Sequence, residues 1–160
     1  MKLLEERIQQ EGKVFPKDVL KIDSFLNHQI DTALAREIGK EFHRIFENSR
    51  PTKILTIEAS GIAFALTTAM AFGDLPVVFA KKTSAANMDA DQYRSKCYSF
   101  TRQMPFEIAV AKEYLSCADR VLIIDDFLAN GEAMSAMIAL CKAAGAEVAG
   151  CGAVLTAPDD

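Results

Sequence analysis

Apolar positions recur along this chain with two periods, and the alternation between them sketches the fold. Leu3, Leu4 and Ile8, with charges between them, predict a short amphipathic helix ending near Gly12. Val19 to Ile22 reads as a brief strand. Asp31 is an N-cap, and Leu34, Ile38, Phe42, Ile45 and Phe46 form one helical stripe facing the core. After the polar, proline-containing break at 48–52, Lys53 to Ile57 predicts the first central strand. A small-residue loop, Glu58-Ala59-Ser60-Gly61, then opens a helix through Phe64, Leu66 and Met70. Pro76 to Ala80 predicts another buried strand. Thr83 to Lys96 carries almost no apolar periodicity, and a stretch that long without a core face is functional or disordered. Cys97 to Phe100 and Glu107 to Ala111 predict a strand pair. Val121 to Ile124, four branched apolar residues without alternation, suit a strand covered on both faces, as in parallel sheets. Glu132 to Ala144 carries Met134, Met137, Ile138 and Cys141 at helical offsets, Gly145 falls in the helix stop, and Glu147 to Leu155 predicts the next strand. Strand-loop-helix units of this kind predict an α/β fold with a parallel sheet.

The chemistry concentrates where the strand at 121–124 gives way to Asp125-Asp126 and then to Phe127-Leu128-Ala129-Asn130-Gly131-Glu132-Ala133. In open α/β sheets ligands sit outside the carboxyl ends of the strands. A helix starting beyond Gly131 presents unpaired backbone N–H groups and the positive end of its dipole, so the turn formed by Ala129, Asn130, Gly131, Glu132 and Ala133 suits a phosphate. Two adjacent carboxylates suit hydroxyl donors or a hard cation. A sugar phosphate offers both the anion and the hydroxyls, and Mg²⁺ bridges any further phosphates. An isolated Asp-Asp before Asn-Gly equally describes a solvated strand end and an ordinary turn. The Glu58 to Gly61 loop repeats the strand-loop-helix geometry. Such turns are also common without a ligand, but two of them on neighbouring parallel strands would face one crevice.

Composition narrows the partners. At 160 residues, half of them apolar, the chain is the size of one domain with one core. No run approaches the ~20 apolar residues of a membrane span, and the charged N-terminus lacks the apolar core of a signal peptide, so a cytosolic protein is expected. Cys97, Cys117, Cys141 and Cys151 have no metal-ligand spacing and are expected to be free, mostly buried thiols. The net charge of −4 argues against general nucleic-acid binding. Lys81, Lys82, Arg94, Lys96 and Arg102 form either a positive rim for a small anion or a solvated surface.

The thirteen residues from Val121 to Ala133 resemble the phosphoribosyl-diphosphate (PRPP) signature of the type I phosphoribosyltransferases. Leu20 to Asp31, Thr56 to Ala63, Val77 to Lys82 and Tyr98 to Thr101 are similar to the bacterial members of that family that act on xanthine, and the likeness runs to about Val154. The resemblance implies a parallel-sheet phosphoribosyltransferase fold over residues 1–160 as a single domain, with an N-terminal hood at 1–30 and the sheet and helices at 31–155. It implies transfer of ribose 5-phosphate from PRPP to xanthine, with Asp125 and Asp126 as the catalytic carboxylates. The 129–133 turn would hold the 5′-phosphate, and Glu58, Ala59, Ser60, Gly61, Lys81 and Lys82 the pyrophosphate. Leu20 and Asn27 would contact the purine, and a loop between Thr83 and Lys96 would close over PRPP. Mg²⁺ would be held mainly by PRPP, with no direct protein ligand, and the protein would be a homodimer. The resemblance fails at Thr156 to Asp160, where Ala157 stands in place of a base-contacting lysine and the chain reads as truncated, and Phe64 replaces a proline. The alternative is a PRPP-binding regulatory domain of the purine-repressor kind, without catalysis.

Overall fold

The structure is a computed structural model that describes residues 1–15, 19–83, 91–99 and 104–156; the side chains at 14, 15, 19, 20 and 99 lie outside that description. In chain order it contains α1 (Lys2–Glu11), β1 (Lys13–Phe15), β2 (Val19–Lys21), a π-helical turn (Asp23–Asn27), α2 (Thr32–Phe46), β3 (Lys53–Ile57), α3 (Gly61–Ala71), β4 (Val77–Thr83), β5 (Gln92–Ser99), β6 (Met104–Ala111), β7 (Arg120–Leu128), α4 (Glu132–Ala144) and β8 (Glu147–Thr156). Six strands form one sheet in the order β5-β6-β4-β3-β7-β8, and β1 and β2 make a separate antiparallel pair.

β4, β3, β7 and β8 run parallel, while β6 is antiparallel to both β4 and β5, so the expected parallel sheet carries an antiparallel extension on one side. Helices cover both faces. On one, α4 seals Leu55, Val121, Ile123 and Ile108 beneath Met137, Leu140 and Cys141. On the other, α2 and α3 bury Ile54, Leu122 and Ile124 under Leu34, Ile38, Phe42, Phe64 and Ala65. Ile54 and Leu55, or Ile123 and Ile124, point to opposite cores because successive strand residues alternate, which is why the central strands are apolar without interruption.

Asp31 caps α2 as expected, its carboxylate accepting from the N–H groups of Ala33 and Leu34 at 3.0 and 3.1 Å. Arg7 of α1 donates to the other carboxylate oxygen at 2.8 Å and lies 5.7 Å from the Phe25 ring centroid. With Phe25 and Leu26 fully buried, this ties the hood to α2 and holds it against the sheet.

Four expectations are corrected. Ile45 is 53% exposed, because the last turn of α2 overhangs a groove beside Met1 and Val154. Ile138, at 39% exposure, sits at the rim of the α4 contact. Phe79, expected in a buried strand, is 39% exposed, and Leu66 and Met70 of α3 are 45% and 65% exposed. The stretch without periodicity is shorter than expected, because β5 starts at Gln92 and turns Tyr93 and Cys97 inward while Arg94 pairs with Glu107 at 3.4 Å. Residues 84–90 lie outside the described residues.

At the amino ends of the strands, the Lys53 ammonium donates to the Tyr114 carbonyl at 2.7 Å and lies 3.0 Å from the Asp119 carboxylate. Burial opposes ionisation of Asp119, but the Ser116 N–H and Lys53 outweigh it and hold the carboxyl below its usual range. That end is a structural clamp. The opposite end is left for chemistry.

α2 crosses α3 at Gly39, where a Cβ would lie within 2.8 Å of the Thr67–Thr68 peptide. Backbone cannot move aside as a flexible side chain can, so Gly39→Ala is expected to cost about 1–3 kcal/mol. The check is a lower denaturation midpoint with an unchanged slope against urea.

Candidate functional site

β3 and β7 are parallel neighbours, with Ile54 opposite Leu122 and Leu55 opposite Ile123. The helix that follows β3 packs on one face of the sheet and the helix that follows β7 packs on the other. The two connections therefore part at the carboxyl ends of these strands and leave a crevice between them, the position where α/β sheets bind ligands.

Asp125 and Asp126 lie at that point, but inside β7 rather than beyond it, because pairing with β8 continues through Phe127 and Leu128 to Leu155 and Thr156. Strand alternation sends the two side chains to opposite faces. Asp125 is only 4% exposed, and its Oδ1 accepts the Asp126 N–H at 2.9 Å. Burial first, and the neighbouring Asp126 carboxylate second, push the Asp125 carboxyl up to about 7.

The 129–131 segment turns the chain into α4 through Gly131, whose φ of 74° lies in the left-handed region. No side chain caps the helix. The first-turn N–H groups, which have no intrahelical acceptor, are left for a ligand. Below the turn lies a cleft of about 200 Å³ bounded by Ala129 to Met134, Asp125 and Lys82 on one side and by Cys97, Tyr98, Phe106, Phe127 and Leu128 on the other.

The other small-residue loop sits beside it. The Glu58–Ala59 peptide is cis, and the Glu58 carboxylate accepts the Lys82 backbone N–H at 2.7 Å, linking the ends of β3 and β4. Gly61 starts α3 directly against the acidic strand: a Cβ there would collide with Thr56 Oγ1 and come within 3.2 Å of Asp125 Oδ1.

The expected site residues are thus partly gathered. Asp125, Lys82 and Ala129, Asn130, Gly131, Glu132 and Ala133 share one cleft, and Gly61 adjoins it. Lys81 and Lys82 are separated. Lys82 shares its strand face with Val78 and Ala80 of the α4 core and lies 5.6 Å from the Phe106 centroid, whereas Lys81 points the other way with Val77. Asn27 ends the π-turn in an exposed position and does not line the cleft. The Leu20 side chain and Ala157 lie outside the described residues. Cys97, Phe106 and Phe127 were not expected as lining residues. Phe127, 44% exposed immediately after two acids, was the available signal.

Comparison with known proteins agrees with this geometry. The Phosphoribosyl transferase domain family matches residues 22–160. A xanthine phosphoribosyltransferase of Clostridium novyi (strain NT) is 54% identical over 155 residues, covering 97% of this chain and 81% of that protein. Another, from Bifidobacterium longum subsp. infantis, is 55% identical over 152 residues, covering 95% and 79%. This chain therefore spans about four-fifths of the length of those relatives. Adenine phosphoribosyltransferase from Saccharomyces cerevisiae, solved with adenine and an imino-altritol bisphosphate, superposes with a TM-score of 0.78 at 18% identity, covering 98% of this chain and 90% of that one. The Giardia lamblia enzyme with 9-deazaadenine gives 0.74 at 20% identity, covering 94% and 96%. At such identities the solved structures establish the fold alone. The chain belongs to the phosphoribosyl transferase domain family.

The buried carboxylate makes stability depend on pH. With an ordinary value of 3.8 when unfolded and a raised value when folded, Asp125 is protonated in both states at low pH and costs nothing there. As pH rises, the unfolded chain ionises first, so folding is progressively penalised up to about pH 7. Asp125→Asn removes the titration. Its melting temperature relative to the parent is expected to climb between about pH 4 and pH 7 and then level off, and a gap that is flat or shrinks with pH across scanning calorimetry runs would contradict this account.

Proposed function

We propose that the protein transfers ribose 5-phosphate from PRPP to xanthine, releasing pyrophosphate, as a cytosolic purine-salvage enzyme. The observation that carries the reading is the uncapped turn at Gly131 lying against a buried carboxylate at the point where the connections leaving β3 and β7 part. The naming of its relatives as transferases for xanthine supports the acceptor and favours catalysis over a regulatory PRPP-binding role.

In this reading the N–H groups at the start of α4 receive the 5′-phosphate, and the dipole of that helix favours the anion. Asp125, which lines the cleft, and Asp126, on the opposite face of β7, are assigned to the ribose hydroxyls. As the bond from C1 to the diphosphate lengthens, the ribose gains positive charge, and a desolvated carboxylate fixed beside it stabilises that charge more than it stabilises the ground state. The Glu58, Ala59, Ser60 and Gly61 loop offers backbone to the leaving diphosphate, with Lys82 on its α4-core side and Lys81 on the opposite face of β4. Placing both partners in one cleft shields the ribosyl cation from water. Leu20 and Asn27 of the hood are assigned to the purine, Asn27 offering both a donor and an acceptor to an oxopurine edge.

A magnesium ion fits this donor set, since carboxylate and phosphate oxygens are the hard ligands it prefers. The metal is assigned mainly to PRPP. Its contribution when bound is to neutralise the leaving pyrophosphate.

Steady-state turnover of xanthine, guanine, hypoxanthine and adenine with PRPP and Mg²⁺ tests the proposal. Xanthine is expected to give the highest kcat/KM, and a preference for adenine would sink the assignment.

A homodimer is part of the same proposal, supported by α3. All eleven residues of Gly61–Ala71 lack charge, yet Leu66 and Met70 remain exposed, with Phe79 of β4 also uncovered. Helices apolar all round belong in interiors. In a chain of net charge −4, an uncharged face is one that meets its own copy without repulsion. Met70→Lys is expected to shift the protein toward monomer in light scattering while leaving its circular dichroism intact; an unchanged mass would place the interface elsewhere.

A further inference from the structure

Among the described residues three polar side chains are buried: Thr56, Thr68 and Asp125. Thr68 gives its hydroxyl to the Phe64 carbonyl at 2.7 Å, and Asp125 accepts the Asp126 N–H. Thr56, fully buried on β3, has a hydroxyl with no partner. An unpaired buried hydroxyl is destabilising. Valine has the same shape, suits a strand equally well and would avoid that cost. Packing alone therefore gives no reason for threonine at this position.

Its surroundings supply one. Thr56 Oγ1 and Asp125 Oδ1 both lie within 3.2 Å of the point where a Gly61 Cβ would stand, so the hydroxyl abuts the loop before α3 and neighbours the carboxylate of β7. Gly61 has no side chain to separate them. Two polar groups on adjacent parallel strands thus flank the same point under the loop assigned to the diphosphate, without a hydrogen bond between them, and the hydroxyl has no partner among the described residues.

We propose that Thr56 is a positioning residue for phosphoribosyl transfer: with PRPP in the cleft its hydroxyl donates to the Asp125 carboxylate and fixes the orientation of that group toward the ribose. The inference rests on the assignment of this cleft to PRPP. Thr56 does not itself touch the substrate. It acts through Asp125, and Gly61, by lacking a Cβ, leaves open the space in which the two groups can approach. Because the bond forms where charge develops on the ribose, its loss falls mainly on kcat.

The test uses the whole chain with Thr56→Val, which keeps the shape, and Thr56→Ser, which keeps the hydroxyl. Thr56→Val is expected to melt at or above the parental temperature, bind ribose 5-phosphate within about twofold of the parent by calorimetry, and lose about tenfold or more in kcat, the size of one hydrogen bond to a charged group. Thr56→Ser is expected to recover most of that rate. Parental kcat in Thr56→Val would overturn the inference while leaving the cleft assignment standing, and equal slowing in Thr56→Ser would overturn it in favour of side-chain shape. A parent that neither binds PRPP nor turns over xanthine would overturn the cleft assignment and this inference with it.

Discussion

A carboxylate taken out of water beside a second carboxylate is the costliest group in this structure, and much of the fold exists to hold it there. Asp125 is paired to Ala153 of β8, one step beyond the residues of β7 that face α4, with Gly61 close to it at the start of α3. Each of those contacts raises the energy of the charged form. A buried charge of this kind favours a partner that brings positive charge or hydroxyl donors, and the helix start at Gly131, uncapped by any side chain, favours one that brings phosphate. Under the proposed function the two demands meet in one small molecule, a phosphorylated sugar with free hydroxyls.

The parts of this arrangement legible in the sequence are those set by local pattern. The run Val121 to Ile124 before two acids fixed a buried strand and a carboxylate pair at its end, and Glu132 to Ala144 fixed the helix that follows. Asp31 and Gly145 marked helix ends through capping preferences that need no tertiary information. What was not legible depends on partners distant in sequence. The continuation of β7 through both acids is set by β8, and the exposure of Ile45, Leu66 and Met70 by where neighbouring elements stop. β5 was missed at its start because its polar positions face outward and only Tyr93 and Cys97 carry the core pattern. Lys81 and Lys82 look like one basic feature in the sequence, yet strand alternation gives them different neighbours.

The same strands carry unlike tasks at their two ends. At the amino ends Lys53 and Asp119 form a paired, hydrogen-bonded clamp whose polar groups satisfy each other. At the carboxyl ends the Thr56 hydroxyl and the Gly131 turn hold capacity left unspent among the described residues. Folding stability and ligand affinity are thereby drawn from different residues of the same elements.

Among the described residues β8 is the outermost strand on its side of the sheet, and the last rungs of its ladder are those to Phe127 and Leu128, immediately before the Gly131 turn. Edge strands open at lower free energy than the sheet centre. Any fraying that starts at Thr156 therefore releases the hinge of the Gly131 turn before it disturbs the core, and a ligand seated in that turn holds the rungs closed. Amide exchange along the end of β8 thus becomes an occupancy gauge for a cleft that the strand itself does not line.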